Sequence, residues 1–225
     1  MKDELLLFIY AGHDTTSVTL QWFVKFMTNN QEAQMKLRKA LRTAFPGDSL
    51  PSITDLLAKN VPYLDAVIEE SLRCGATATR IMRVATVDTE IFGHKIPAGT
   101  RLSAPATLMW HSMPVPEGRR SLSSRAAFEK GDRVDWTHTP GAQELDKFIP
   151  ERWLKIDKDG KEICDPTTLA HNAFGGGIRG CFGKRLAMLE LRITIALIVM
   201  SFKFLPIPPE FNSFQATEQL LRSPR

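Results

Sequence analysis

Residues 2–28 hold apolar side chains at every position round a helical turn, first as LLLFIYA and then as VTLQWFVKFM. A helix that is apolar on all sides belongs inside a larger body, so this segment predicts a buried central helix. Residues 30–44 are rich in good helix formers and end at Pro46-Gly47-Asp48. Thr54–Lys59 reads as a short helix. A further helix opens at Val61-Pro62-Tyr63 and runs to about Cys74, with Pro62 in its first turn. The period changes in RVATVDTEIFGHKIPAGTRL, residues 83–102. There β-branched residues alternate and turn signals stand at Phe92-Gly93 and Pro97-Ala98-Gly99, which predicts short strands in a small sheet. Residues 112–145 are polar and read as irregular. Lys184–Phe204 returns to a helical pattern before the prolines at 206, 208 and 209. The fold class is therefore mainly α with a small β part, without internal repeats.

Composition changes this picture little. The 225 residues carry a net charge of +4, with Lys and Arg spread along the chain, so no nucleic-acid partner is expected. Three cysteines without C-x-x-C spacing fit a reducing, intracellular compartment better than a disulfide framework. No secretory signal is legible. The late apolar run ITIALIVMSF is about half of what a spanning helix needs and reads as core.

Four stretches carry candidate chemistry. In FGGGIRGCFG, residues 174–183, five of ten residues are glycine and Cys181 stands among them. A thiolate that binds a metal needs backbone N–H donors close to its sulfur. Glycine permits that wrap and adds no Cβ to collide with a flat ligand. Arg179 would be a fixed cation beside something anionic, and Phe174 a shield against water. The same glycines also spell G-x-G-x-x-G at Gly175, Gly177 and Gly180, but a dinucleotide site needs a preceding strand and an acidic residue about twenty positions on. The bland alternative is a flexible loop with a passive cysteine.

In AGHDTTS, residues 11–17, Asp14 and Thr15 interrupt an apolar helix, a cost unless the side chains are used. Ala11 and Thr15 share one face. Gly12 permits a widened turn that could hold water, and Asp14 is placed to pass protons through Thr15; equally, Asp14 or Thr15 could cap a new helix. Glu70 and Arg73 are three apart and can pair, although an isolated pair of this kind is ordinarily a solvated surface contact. Phe148-Ile149-Pro150-Glu151-Arg152-Trp153 could be a turn with an aromatic anchor.

In this order the four segments resemble the cytochrome P-450 family of haem-thiolate monooxygenases, whose motifs are A/G-G-x-D/E-T-T/S, E-x-x-R, P-E-R-F/W and F-x-x-G-x-R-x-C-x-G. The resemblance, of a eukaryotic, fungal-like type suggestive of secondary metabolism, covers nearly the whole chain as the C-terminal portion of that fold. It implies a single partial domain over 1–225: a central oxygen-activating helix (1–28), the E-x-x-R helix (62–74), a small β region (83–110), an irregular insertion (112–145), and the P-E-R-W segment, haem loop and final helix (148–204). It implies haem b, with Cys181 as the metal ligand. Phe174, Gly175, Gly177, Arg179, Gly183, Ala11, Gly12 and Arg83 would surround the cofactor, with His111 a further propionate candidate. Asp14 and Thr15 would deliver protons to dioxygen. Glu70, Arg73 and Arg152 would form a buried triad, and Ile81, Met82 and residues 102–107 would lie toward the substrate.

The implied reaction inserts one oxygen atom of O₂ into a small apolar organic substrate. Electrons would come from NADPH through a flavoprotein reductase. The family is typically bound to the endoplasmic reticulum through an N-terminal anchor, and no anchor is read in this chain. A fragment or truncated product, a haem-binding remnant without turnover, is the competing expectation. The basic stretch within 112–140 is either a surface loop or an insertion from a gene-model error.

Overall fold

The structure is a computed structural model that describes residues 2–91, 93–105, 118, 121–129, 144–169 and 173–225. Helix α1 (Lys2–Asn29) is followed by α2 (Gln31–Ala44), α3 (Ile53–Ala58) and α4 (Pro62–Gly75). Strands β1 (Arg80–Val84), β2 (Thr89–Ile91), β3 (His94–Ile96) and β4 (Arg101–Pro105) come next, and α5 (Leu122–Glu129) lies beyond them. The last third holds β5 (Leu154–Ile156), β6 (Glu162–Cys164), α6 (Lys184–Ser201), β7 (Ala216–Glu218) and β8 (Arg222–Pro224).

The main core lies among α1, α2, α4 and α6. Trp22, Phe23 and Met27 from α1 meet Leu37 and Leu41 from α2, Leu64 and Ile68 from α4, and Leu191, Ile195 and Val199 from α6. In α2 the buried residues are Ala33, Gln34, Leu37 and Leu41, the spacing of a single helix face. Gln34 is the polar member of that face and is fully used. Its Nε2 donates to the carbonyls of Met27 and Phe204 at 3.1 and 3.0 Å, and its Oε1 accepts from Phe204 N at 2.9 Å. One side chain thereby ties the end of α1 to the chain leaving α6. Ser52 caps α3 by accepting from Asp55 N at 3.1 Å. Pro62 starts α4 at its first turn as expected, and α4 ends at Ala76 in the left-handed region with φ of 43°.

Several sequence expectations change. Burial of the central helix begins only at Thr16, and beyond it Gln21 still faces water. Leu5, Leu6, Leu7, Phe8, Ile9 and Tyr10 are exposed, because the first turns of α1 extend past the helices that cover the remainder. The helix is also continuous through Gly12-His13-Asp14-Thr15, so neither a new N-cap nor a widened turn forms there. The small β region is two separate antiparallel pairs, β1 with β4 and β2 with β3, rather than one sheet. The stretch 112–145, expected to be irregular, includes helix α5; most of its other residues, and His111, Phe92 and residues 106–107, lie outside those described. The last helix stops at Ser201, where Phe202 turns extended. The hairpin β7–β8, absent from the sequence reading, packs back on α1. Trp22 Nε1 donates to the Arg222 carbonyl at 2.7 Å, and the Arg222 guanidinium lies 4.2 Å from the Trp22 ring centre. Arg222 Nη1 also donates to the Gly75 carbonyl at 3.0 Å. A Cβ at Gly75 would stand 3.3 Å from Trp22, so the end of α4 approaches α1 at glycine distance.

Leu64 is fully buried where α1, α2, α4 and α6 meet. Leu64→Ala is expected to cost about 2–5 kcal/mol, seen as a lower urea midpoint with unchanged slope.

Candidate cofactor site at Cys181

A cleft of about 390 Å³ runs between the open end of α1 and the start of α6. One wall is Phe8, Ala11, Gly12, Thr15 and Thr19; the other is Phe174, Cys181, Phe182, Gly183, Leu186 and Ala187. Leu72, Thr77 and Ala78 line it as well. The α1 wall follows from sequence periodicity, since Phe8, Ala11, Gly12, Thr15 and Thr19 recur at three- and four-residue steps on one face. Small residues along that face leave it flat.

The Cys181 loop is shaped by glycine at two positions. Gly175 and Gly177 have φ of 67° and 61°, where a side chain would strain the backbone. Those turns bring Cys181 N to donate to the Phe174 carbonyl at 2.7 Å, closing the loop. A short 3-10 turn, Gly177–Arg179, lies inside it, and Gly183 precedes α6. Cys181 is exposed and free, whereas Cys74 is buried and Cys164 half-buried. The N–H donors expected round the sulfur are not in place: among the described residues none donates to Cys181 Sγ, and Cys181 N goes to Phe174. The sulfur lines the cleft with its lone pairs unengaged. The dinucleotide reading fails locally, since residues 165–169 before the loop form turns rather than a strand.

The other expected residues divide. Ala11, Gly12, Thr15, Phe174, Cys181 and Gly183 come together on the cleft. Asp14 does not: its carboxylate accepts from His13 Nδ1 at 3.0 Å on the outer side of α1. Thr15 Oγ1 donates to the Ala11 carbonyl at 2.7 Å, which leaves its lone pairs for a group in the cleft. Arg179 is exposed on its turn, and Arg83 Nη1 donates to the Met82 carbonyl at 2.8 Å; neither lines the cleft. Sequence reasoning missed Thr16, Thr19 and Thr77. Thr19 Oγ1 and Thr77 Oγ1 are hydrogen-bonded at 3.0 Å, and Thr16 Oγ1 is buried without a partner among the described residues. Thr77 joins α1 from 58 positions away, a contact no local pattern signals.

Behind the site, Glu70 gathers donors from its own helix and from the stretch 149–153. Arg73 Nε and Nη2 bond its two oxygens at 2.8 and 2.9 Å as a fork. Arg152 Nε reaches Oε1 at 3.1 Å, Ile149 N reaches Oε1 at 2.8 Å, and Trp153 Nε1 reaches Oε2 at 2.9 Å. Glu70, Arg73, Arg152 and Trp153 are all buried. The surplus guanidinium N–H groups go to backbone: Arg73 Nη1 to Leu145, Arg73 Nη2 to Lys147, and Arg152 Nη2 to Glu144 and Lys147. The surface-pair alternative for Glu70 and Arg73 is thereby excluded. Trp153 and the Ile149 amide are members that the residue spacing did not disclose.

The cytochrome P450 family model matches residues 1–114 and 144–225, leaving only 115–143 outside it. The chain belongs to the cytochrome P450 family. It is 37% identical to the cytochrome P450 monooxygenase TRI13 of Fusarium sporotrichioides, aligned over the whole of this chain and 40% of that protein. It is 33% identical to the cytochrome P450 monooxygenase cyp3.1 of Dothistroma septosporum, over the whole of this chain and 75% of that protein. Human cytochrome P450 3A7 is 30% identical over 90% of this chain and 34% of its own length. The chain thus spans well under half the length of two of these relatives. The two fungal relatives are named monooxygenases.

A P450 carries haem, and the cleft's chemistry fits it. One thiol faces an apolar slot of a size that ligand sites commonly have, roughly 300–1,000 Å³. Among the described residues no group of three or more His, Cys, Asp or Glu could hold a metal ion. No described helix is long and apolar enough to cross a membrane.

Arg152→Leu should leave Glu70 short of a charged donor in a dry site. The expected cost is about 3–5 kcal/mol in chemical denaturation, well above that of a surface ion pair.

Proposed function

We propose that this P450 chain forms the thiolate half of a monooxygenase site that oxidises a small apolar organic substrate, with electrons from NADPH through a flavoprotein reductase. The observation that carries the reading is the exposed Cys181 thiol, set across an apolar cleft from Ala11, Gly12 and Thr15.

Haem b held through sulfur would supply O₂ activation, one oxygen atom entering the substrate and the other leaving as water. The chain's own residues provide the setting. Cys181 would hold the iron through Sγ, and electron donation from its thiolate would favour O–O cleavage. Ala11 and Gly12 keep the facing wall flat, and Phe174 lines the cleft beside Cys181. Thr15 stands inside the cleft and Asp14 outside it on adjacent positions of α1. Asp14 would exchange protons with solvent, and Thr15 would relay them inward, a lone pair of Oγ1 accepting the incoming proton while its own hydrogen leaves the Ala11 carbonyl for the group in the cleft. Arg179 and Arg83, both exposed, are the cationic candidates for the propionates. The apolar lining selects an apolar substrate without naming one.

A second reading, haem binding without turnover, is favoured by the exposed apolar run Leu5–Tyr10, which leaves one wall of the cleft open to water. Supplying haem, an NADPH-dependent flavoprotein reductase, a panel of apolar substrates and labelled O₂ separates the two. The proposed activity incorporates one labelled atom into product, and Cys181→Ala abolishes it. Bound haem with NADPH oxidation but no labelled product would leave only the second reading.

A further inference from the structure

Helix α6 opens with two basic residues, Lys184 and Arg185, and has no acidic residue in its first turn. That arrangement opposes the helix dipole, whose amino end favours negative charge. Lys184 is nevertheless engaged. Its Nζ stands over the Phe174 ring, 5.6 Å from the centroid, within the reach of a cation–π contact. Phe174 is in turn held by its backbone, since its carbonyl accepts from Cys181 N at 2.7 Å, and both residues line the cleft. Phe174 is therefore fixed from two sides, by the residue that bears the thiol and by the first residue of the following helix.

We propose that Lys184 is a positioning residue for the thiolate site, holding the Phe174 ring in the cleft beside Cys181 and so setting the electronic environment of the sulfur. The proposal rests on the haem-thiolate reading above. Lys184 is exposed, and it acts through the ring rather than on the sulfur directly. An unheld ring would turn away from the cleft, and the groups around a thiolate set its donation to its metal. A planar guanidinium can replace the ammonium over an aromatic face, whereas a neutral amide cannot.

The test is the reduction potential of the haem-loaded chain, measured by spectroelectrochemistry. Lys184→Gln is expected to shift the potential in the same direction as Phe174→Leu and less far, and Lys184→Arg to stay at the wild-type value. Lys184→Gln added to Phe174→Leu should produce no further shift. Should Phe174→Leu fail to take up haem, Phe174→Trp gives the complementary background, in which the stronger π face makes the Lys184→Gln shift larger. An unchanged potential in Lys184→Gln overturns the proposal while leaving the proposed function standing. A shift that persists undiminished without the ring overturns it too, since Lys184 would then act as a bare charge. A wild-type chain that loads haem without a thiolate spectrum overturns this proposal and the proposed function together.

Discussion

The carboxylate of Glu70 is the fixed point of this structure. It is buried on α4 and accepts from Arg73, Arg152, Trp153 and the Ile149 amide, groups drawn from positions up to 83 residues away. Two guanidinium ions and one carboxylate would be costly in a dry interior if left bare. The remaining N–H groups therefore capture the carbonyls of Glu144, Leu145 and Lys147, and the connecting segment is pinned on α4 as a consequence. The node ties the segment before β5 to the helix whose own residue Leu72, two positions beyond Glu70, lines the cleft. Interlocking of this kind supplies geometry more than stability, because well-packed apolar groups of equal volume would fold as well.

The cleft exists because α1 does two jobs along one axis. From Thr16 onward it is a core helix clamped by α2, α4, α6 and the β7–β8 hairpin. Its first turns leave that clamp and form a wall instead, with small residues facing Cys181 and large apolar ones facing water. Phe8 still meets Phe182 edge to face across the slot at 5.9 Å, so the two walls touch at one end. The same helix thus carries the rigidity of the core directly to the residues that would face a cofactor.

The helices were legible because their signals are local: Pro62 at a first turn, apolar steps of three and four in α2, and prolines after α6. The cysteine loop was legible for a different reason, since glycine at 175 and 177 is required by positive φ and only an unusual chain path needs two such residues so close together. What escaped was non-local. Spacing alone left Glu70 and Arg73 as a surface contact; the family resemblance supplied Arg152, and nothing announced Trp153 or the Ile149 amide. Thr77 meets Thr19, and Arg222 covers Trp22, only through the folded arrangement. Asp14 was read inward with Thr15, yet neighbours on a helix point about 100° apart, and the pairing with His13 holds its carboxylate outside.

The central claim is that the Cys181 sulfur is the protein's bond to haem iron. Its most direct test is the carbon monoxide difference spectrum of the reduced, haem-loaded chain, read beside Cys181→Ala. The account predicts the strongly red-shifted Soret band of a thiolate-ligated iron in the wild type and its complete loss in the variant. The same band in both proteins, or a histidine-type band in the wild type, would contradict it.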